Sequence, residues 1–190
     1  MEELSAQDAG EDGNLVFSHN GEILSLAKEG LLIRDLWTTD LNQKKLLAGV
    51  QKQLVKIGQE EYDSEFHSIV QALNTLIEKL SLDSMLPLQW DVPENLMPFF
   101  KAVSMRMETP EDPFERLIDL VRLSKEFSST QFLVLVGTRG FLSQMECVSL
   151  CRDLSAAGMP VLFLDPFCRY RLPQEKQLIV DADHCELLFS

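Results

Sequence analysis

Two short apolar runs in the last third of the chain constrain its fold more than any other feature. Residues 132–136 and 161–165 have the length and composition of buried strands, and a segment with clear helix signals lies between them. Ser143 and Glu146 have the spacing of a capping box, and Gly158 lies where such a helix would end. Strands that are apolar on both faces are typical of parallel sheets. This stretch therefore predicts a strand–helix–strand unit of an α/β fold.

The second run resembles half of a nucleotide-binding site. Its sequence, Val-Leu-Phe-Leu-Asp, ends in a carboxylate that could face a metal ion. The other half is absent, since the sequence contains no G-x-x-x-x-G-K-[ST] motif to hold phosphates with backbone amides and a lysine. Residues 137–140, which follow the first run, are too few to replace that motif. The pattern predicts a topology like that of nucleotide hydrolases, but degenerate and without their chemistry.

Composition and charge limit the classes of protein to which this chain can belong. A chain of 190 residues with 45% hydrophobic content can form one core with a helical extension, and no apolar run approaches the roughly 20 residues of a membrane helix. The four cysteines form no C-x-x-C pair, and the first residues are not a basic segment followed by an apolar one, so we expect a cytoplasmic protein with free thiols. The formal net charge of −13 repels polyanions, so any contact with nucleic acid requires a local basic surface.

The order of the patterns predicts two domains. Residues 1–40 and 128–190 carry strand-like runs and the hairpin signal Asn-Gly at positions 20–21, so we expect them to form a discontinuous head domain. Residues 41–127 carry apolar residues at helical spacing and should form a helical leg domain between the two parts. The predicted fold class is α/β, with a parallel-containing sheet in the head and a helical insertion.

Two groups of basic residues are candidates for a nucleic-acid surface. The first group lies on the predicted first long helix of the insertion, opposite its apolar stripe, and consists of Lys45, Lys52 and Lys56, with Lys44 beside them. The second group consists of Lys101, Arg106, Arg116, Arg122 and Lys125. Either group could contact the phosphates of duplex DNA without reading bases. On charge pattern alone, a solvated helix face explains them better, because such stripes are common on exposed helices.

The residues at the ends of the two apolar runs have both a chemical and a structural interpretation. Asp165 could bind magnesium or calcium, because ligands in open α/β sheets lie at the carboxyl ends of strands. Its structural role would be to hydrogen-bond the turn that follows. Thr138 and Arg139 could bind an anion, or their loop could simply reverse the chain. We favour the structural interpretation for all three, since the phosphate loop is missing.

Cysteines suggest two further sites, neither of which the pattern favours. Residues 183–185 read Asp-His-Cys, but neighbours on a strand point to opposite faces, which argues against a cysteine–histidine nucleophile. Cys147 and Cys151 lie on one face of the predicted helix and could bind a metal ion, although buried structural thiols are the ordinary explanation.

The order of these patterns along the chain is similar to that of a known family. It runs from residues 132–136 through the following helix and residues 161–166 to Pro173 and residues 179–183. The paired long helices and residues 88–91 before another helix fit the same order. This order resembles the type II-A CRISPR adaptation accessory proteins, over roughly residues 14 to 185.

The resemblance implies an assembly and a function. Members of that family have an α/β head related to nucleotide hydrolases and helical legs, and they form tetrameric rings that thread the ends of double-stranded DNA and are stabilised by calcium. For this chain it implies a non-enzymatic homotetramer that supports spacer acquisition in antiviral defence, with the CRISPR integrase and effector nuclease as partners and no membrane association. The residues assigned to DNA contact are Lys44, Lys45, Lys52, Lys56, Lys101, Arg106 and Lys125.

The sequence departs from the family in two places. Family members usually begin with a further strand and helix, where this chain has only residues 1–13, so we expect either an incomplete sheet or another element in that position. In the calcium region, residues 86–94 retain only Asp91 and Glu94 as oxygen ligands, fewer than the roughly 6 to 8 that calcium takes unless carbonyls, waters or another subunit contribute.

Two other functions remain as alternatives. One is a degenerate nucleotide-binding regulatory domain or enzyme centred on Asp165, Thr138 and Arg139. The other is an acidic helical scaffold without a role in nucleic-acid binding.

Overall fold

The computed structural model describes residues 2–167, 170–173 and 175–189. Contacts divide the chain into two compact units, of which the first comprises Met1–Leu41 with Thr109–Ser190 and the second comprises Asn42–Glu108. The sequence predicted that the helical part would extend to residue 127. In the structure, residues 109–127 belong instead to the unit that contains the sheet.

The first part of the sheet-containing unit consists of short elements. In chain order these are helix α1 (Glu2–Asp8), strands β1 (Phe17–His19) and β2 (Glu22–Leu24), helix α2 (Leu26–Glu29) and strand β3 (Gly30–Ile33). Strands β1 and β2 pair antiparallel, as the Asn-Gly signal predicted. Asn20 and Gly21 have φ angles of 51° and 84°, the left-handed conformation that a two-residue hairpin turn requires.

The second unit is helical, as its periodicity predicted. It contains helices α3 (Lys44–Glu61), α4 (Asp63–Ser84) and α5 (Met97–Ala102). Tyr62 is the single residue that separates the two long helices. Pro98 lies in the first turn of α5, where a missing backbone N–H breaks no helical hydrogen bond.

The rest of the first unit completes a three-stranded sheet. It contains helix α6 (Pro113–Phe127), strand β4 (Phe132–Val136), helix α7 (Gln144–Ala156), strand β5 (Val161–Leu164) and strands β6 (Gln177–Val180) and β7 (Glu186–Phe189). The strand order is β3-β4-β5 and both pairings are parallel. Ser143 and Glu146 form the predicted capping box at the start of α7. The α/β class and the strand–helix–strand unit are therefore confirmed.

The core of this unit is built around the central strand. Leu133, Val134 and Leu135 of β4 are completely buried. Helix α1, which the sequence analysis did not predict, contributes Leu4 to a buried cluster with Leu26, Phe132 and Val134. Burying one such side chain stabilises the fold by about 1.5–3 kcal/mol, so α1 is an integral part of the head.

The two C-terminal strands do not extend this sheet. Strands β6 and β7 pair with each other in an antiparallel hairpin. Within the described residues, β5 pairs only with β4 and is therefore an edge strand of the parallel sheet.

Candidate functional site

A buried arginine lies at the carboxyl ends of β4 and β5. Arg139 belongs to the short 3₁₀ turn Thr138–Gly140 that follows β4, and Gly137 opens this turn with a φ of 66°. The Arg139 side chain is only 8% exposed, and its Nε lies 3.1 Å from Oδ2 of Asp165, the residue after β5. Because β4 and β5 are parallel neighbours, their carboxyl ends bring these two side chains together.

A second carboxylate, Glu175, holds the other end of the same guanidinium. One terminal nitrogen of Arg139 donates to Glu175 Oε2 at 3.3 Å, and the other donates to Glu175 Oε1. Glu175 Oε2 also accepts a hydrogen bond of 2.8 Å from the backbone N–H of Leu172. The guanidinium carbon lies 4.3 Å from the centre of the Phe163 ring. The fork geometry and the ring fix the arginine in one orientation.

These contacts determine the charge states of the cluster. Burial by itself lowers the pKa of Arg139, but the hydrogen bond and charge of Glu175 and the charge of Asp165 outweigh it, so the pKa is raised. Burial likewise opposes ionisation of Glu175, yet the hydrogen bonds from Arg139 and Leu172 lower the pKa of this carboxyl below its ordinary value. Arg139 is therefore a cation whose charge is neutralised inside the protein.

The cluster shows which contacts the predicted residues Asp165, Arg139 and Thr138 make. Asp165 forms an ion pair with Arg139, which was neither of the roles that the sequence suggested for it. Arg139 is buried against two carboxylates, and Thr138 is buried as well. With one cation and two carboxylates, the cluster repels the phosphates of a nucleotide, so the geometry disfavours the nucleotide-binding alternative.

Next to the cluster, Cys147 of α7 accepts a hydrogen bond of 3.1 Å from the hydroxyl of Tyr170. Burial raises the pKa of Cys147 despite this bond and the nearby Arg139 charge. Burial and the contact with Cys147 raise the pKa of Tyr170 to about 12. Both groups are therefore neutral near pH 7, and Cys147 is a structural thiol rather than a nucleophile.

Two other cysteines, Cys151 and Cys185, lie in the described residues. Cys151 lies near Cys147 on α7, and burial raises its pKa as well. Cys147, Cys151 and Cys185 are free thiols, whereas Cys168 lies outside the described residues. At residues 183–185, Asp181 Oδ1 accepts the backbone N–H groups of Asp183 and Cys185 and so closes the turn before β7.

The first basic group lies on the exposed side of α3. Lys45, Lys52 and Lys56 fall within an arc of roughly 40° when the helix is viewed along its axis, since successive residues turn by about 100°. All three are exposed, while Leu46, about 100° around the helix from Lys45, is buried. Lys56 Nζ lies 3.8 Å from Glu60 Oε1, a weak exposed pair. Lys44, the first residue of the helix, is exposed beside this stripe.

The second basic group is divided between the two units. Lys101 and Arg106 are exposed in the helical unit. In the sheet-containing unit, the guanidinium of Arg116 donates to the carbonyls of Pro110 and Trp37, and Arg122 forms an ion pair with Asp119.

Lys125 is exposed but already has a partner in the same unit. Its ammonium donates to the carbonyl of Ala157 at the end of α7. A cation at this position complements the partial negative charge of a helix C-terminus. Lys125 therefore has a structural role that the sequence analysis missed.

The predicted calcium ligands, Asp91 and Glu94, lie between α4 and α5. Both are exposed. Asp91 lines an open cleft of about 530 Å³ together with Gln89 and Trp90. Within residues 2–167, 170–173 and 175–189, no group of three or more His, Cys, Asp or Glu side chains is arranged to hold a metal ion. The calcium site thus stays a prediction, and its remaining ligands would be carbonyls, waters or a second subunit.

Helix α4 and Tyr62, the residue before it, expose an apolar stripe, here called the α4 stripe. Tyr62, Ile69 and Leu76 recur every seven residues, and Leu80 follows four residues later. Each of these side chains is about half exposed. Together with the partly buried Phe66 and Leu73, they complete an a/d heptad pattern, which is typical of a helix that packs against another helix.

In the described part of the chain, none of the helices combines the length and apolar character needed to cross a bilayer.

Comparison with known proteins identifies the family. A family model described as CRISPR-associated protein (Cas_Csn2) matches residues 7–184. The CRISPR-associated protein Csn2 of Streptococcus agalactiae is 26% identical over 163 residues, which cover 83% of this chain and 71% of that protein. The family resemblance stated from the sequence is thereby confirmed, and the chain belongs to the Csn2 family of CRISPR-associated proteins.

Proposed function

We propose that this protein is a non-enzymatic DNA-binding subunit of CRISPR spacer acquisition. In this proposal, a ring-shaped oligomer, a homotetramer by family resemblance, encloses the ends of double-stranded DNA in the cytoplasm. It presents them to the CRISPR integrase and effector nuclease. Membership of a CRISPR-associated family supports the biological context. The lysine stripe on α3 is the observation that carries the DNA-binding part.

The lysine stripe supports contact with phosphates in a chain that otherwise repels them. The net charge is −13, yet Lys45, Lys52 and Lys56 form one exposed row on a single helix face. A single row of three cations binds DNA weakly. Repetition of the row by the symmetry of an oligomer would place several rows around one duplex, while salt screens the distant acids. Such binding is independent of sequence, because phosphates carry no base information.

The apolar stripe on α4 supports self-association. Tyr62, Ile69, Leu76 and Leu80 are half exposed, and burying them against a second copy would remove apolar surface from water. The heptad spacing suits a helix of the same kind as partner. We propose this stripe as one of the contacts between subunits.

We further propose that the head domain has a degenerate form of the nucleotide-hydrolase topology. Its parallel strands and a carboxylate after β5 support that topology, and the Arg139 cluster explains how such a head can dispense with a nucleotide. Asp91 and Glu94 are proposed as part of a calcium site that another subunit completes, since two side chains alone provide too few oxygens.

Charge reversal of the lysine stripe tests the proposal. The variant Lys45→Glu/Lys52→Glu/Lys56→Glu should retain linear duplex DNA much more weakly in an electrophoretic mobility shift assay, without loss of oligomer. Each phosphate contact that is lost should reduce the slope of log affinity against log salt by about 0.9. The matched control, Lys28→Glu/Arg152→Glu/Lys176→Glu, changes the net charge equally at exposed positions of the head and should retain DNA like the wild type.

The topology of binding is tested with two forms of DNA. Linear duplex should be retained and closed circular duplex released, with and without calcium. Equal retention of both forms would contradict end threading, and retention of neither at low salt would contradict DNA binding altogether. If the stripe variant and its control lost retention equally, the effect would be one of net charge rather than of this surface.

A further inference from the structure

The outer edge of β5 has backbone groups that nothing in the described structure uses. The N–H of Leu133 donates to the carbonyl of Pro160, and the N–H of Gly137 donates to that of Leu164. In a parallel pair, alternate residues direct their N–H and C=O toward the neighbouring strand. Residues 160, 162 and 164 therefore face β4, and Val161 and Phe163 face away from it.

The outward groups of β5 have no partner within residues 2–167, 170–173 and 175–189. Among the described residues, none forms a hydrogen bond with the backbone of Val161 or Phe163 on that side. Strand β6 pairs with β7 rather than with β5. Proteins normally protect an edge of this kind with charged residues, prolines or a covering element. Here the prolines Pro160 and Pro166 only flank the four-residue strand.

A cleft of about 860 Å³ lies next to β5, and its lining includes all four residues of β5 and all four residues of β6. Four residues of extended chain span roughly 13 Å. An antiparallel hairpin also alternates its bonding direction. The backbone N–H of Asp181 donates to the carbonyl of Cys185, so Asp181 and every second residue before it face β7. Residues 178 and 180 of β6 therefore direct their backbone groups away from β7.

Several apolar side chains around the cleft are incompletely covered. Leu162 is 43% exposed, and Leu178, Val180 and Phe167 are more exposed still. The charged residues at the carboxyl end of β5 are already paired with one another in the Arg139 cluster. The cleft therefore suits a ligand with apolar side chains and a backbone that can bond at every second residue. A polynucleotide has neither property.

We propose that the β5 edge is a binding site for an extended segment of a partner protein. The segment adds as a strand to β5 and directs alternate, apolar side chains toward Leu162 and the other exposed side chains of the cleft. Strand addition of this kind derives its affinity from main-chain hydrogen bonds and its specificity from alternate side chains. The site lies in the head and involves none of the lysines proposed for DNA contact.

Amide hydrogen exchange measured by NMR tests this proposal. In the free protein, the amides of Leu162 and Leu164 should exchange slowly, because they bond to β4, and those of Val161 and Phe163 should exchange fast. A synthetic peptide of alternating valine and threonine, flanked by lysines for solubility, should slow exchange at Val161 and Phe163 specifically. The same peptide with N-methyl groups at the alternate residues that face β5 lacks the N–H donors for these bonds. It should leave the exchange rates of Val161 and Phe163 unchanged.

A pair of variants isolates the backbone contribution. Val161→Pro removes one outward N–H without touching a bond to β4, which an edge strand tolerates. It should weaken peptide binding by about tenfold, the effect of one lost hydrogen bond. Val161→Ala shortens the side chain and keeps the N–H, so it should bind the peptide within about twofold of the wild type.

Three results would overturn the proposal. The first is unchanged exchange at Val161 and Phe163 with saturating peptide. The second is equal protection by the N-methylated peptide. The third is protection of these two amides in the protein alone that rises with concentration, since it would assign the edge to a second copy of this chain.

Discussion

Arg139, Asp165 and Glu175 place one positive and two negative charges where water is largely excluded. Their side chains are all less than one-sixth exposed. A buried ion pair is a poor source of net stability, because desolvation offsets most of the attraction. Removal of one partner is nevertheless costly, since it leaves an uncompensated charge. The value of the cluster is therefore that it ties the loop containing Glu175 to the ends of β4 and β5.

Replacement of the arginine should reveal this dependence. At pH 7, Arg139→Met should reduce the free energy of unfolding by about 3–5 kcal/mol, because two buried carboxylates lose their cation. Urea denaturation measures the change. The exposed Arg152 on the same head provides the control, and Arg152→Met should stay within about 0.5 kcal/mol of the wild type.

The pH dependence of the same variant provides a second readout. In the wild type, the lowered pKa of Glu175 contributes stability above the ordinary value of 4.5, and this contribution is lost as pH falls through the folded-state pKa. In Arg139→Met the carboxylates have no cation to favour their charged form, so acidification should relieve the defect. A deficit that did not shrink between pH 7 and pH 4 would contradict the charge argument.

Part of this cluster was accessible to prediction from the sequence. Arg139 follows one parallel strand and Asp165 ends the next, so their proximity follows once the strand–helix–strand unit is recognised. From the sequence, a turn role was favoured over ligand binding for both residues, and their ion pair was not predicted. Glu175 carries no such signal, because its loop belongs to no regular element and its path is set by tertiary contacts.

At the scale of elements, local signals were reliable wherever side chains and backbone form a short-range motif. The capping box of α7 is an example, since Ser143 accepts the N–H of Glu146 and Glu146 accepts the N–H of Ser143. The Asn-Gly turn between β1 and β2 is another. Helix α1 was missed because seven residues carry too little periodicity, and its stability depends on burial of Leu4.

The cap of α7 gives a quantitative expectation. Ser143→Ala removes the acceptor for a helix N-terminal amide and should lower the free energy of unfolding by about 1 kcal/mol. Thermal or chemical denaturation measures this change. Ser155→Ala, at an exposed position near the other end of α7, should leave stability nearly unchanged. Equal effects of the two substitutions would show that the cap contributes nothing specific.

At the scale of the whole molecule, the chain combines an acidic surface with exposed apolar side chains. The net charge of −13 disfavours association, so self-association requires a contact that gains more from burial than it loses to repulsion. The α4 stripe, formed by Tyr62, Ile69, Leu76 and Leu80, is our proposed contact. Its side chains contribute little to the subunit core because they are already half exposed.

Charged substitutions on this stripe should change the particle mass in solution. Ile69→Lys/Leu76→Lys should shift sedimentation toward the monomer while helix content stays unchanged, because a buried lysine pair would oppose docking of a second helix. Met145→Lys, at a strongly exposed position of the head, should leave the mass unchanged. An unaltered mass for the double variant would exclude the α4 stripe as a subunit contact.

The sequence by itself determined the α/β class, the parallel pairing of β4 with β5, the paired long helices and the family. These features depend on periodicity, caps and turns, which are patterns of a few residues that can be recognised in the sequence alone. The tertiary structure decided that α6 belongs with the sheet, that Lys125 binds the end of α7 and that Glu175 binds Arg139. Such outcomes depend on which surfaces meet when the core closes. The Lys125 and Glu175 contacts join residues 32 and 36 positions apart, and neither leaves a local pattern in the sequence.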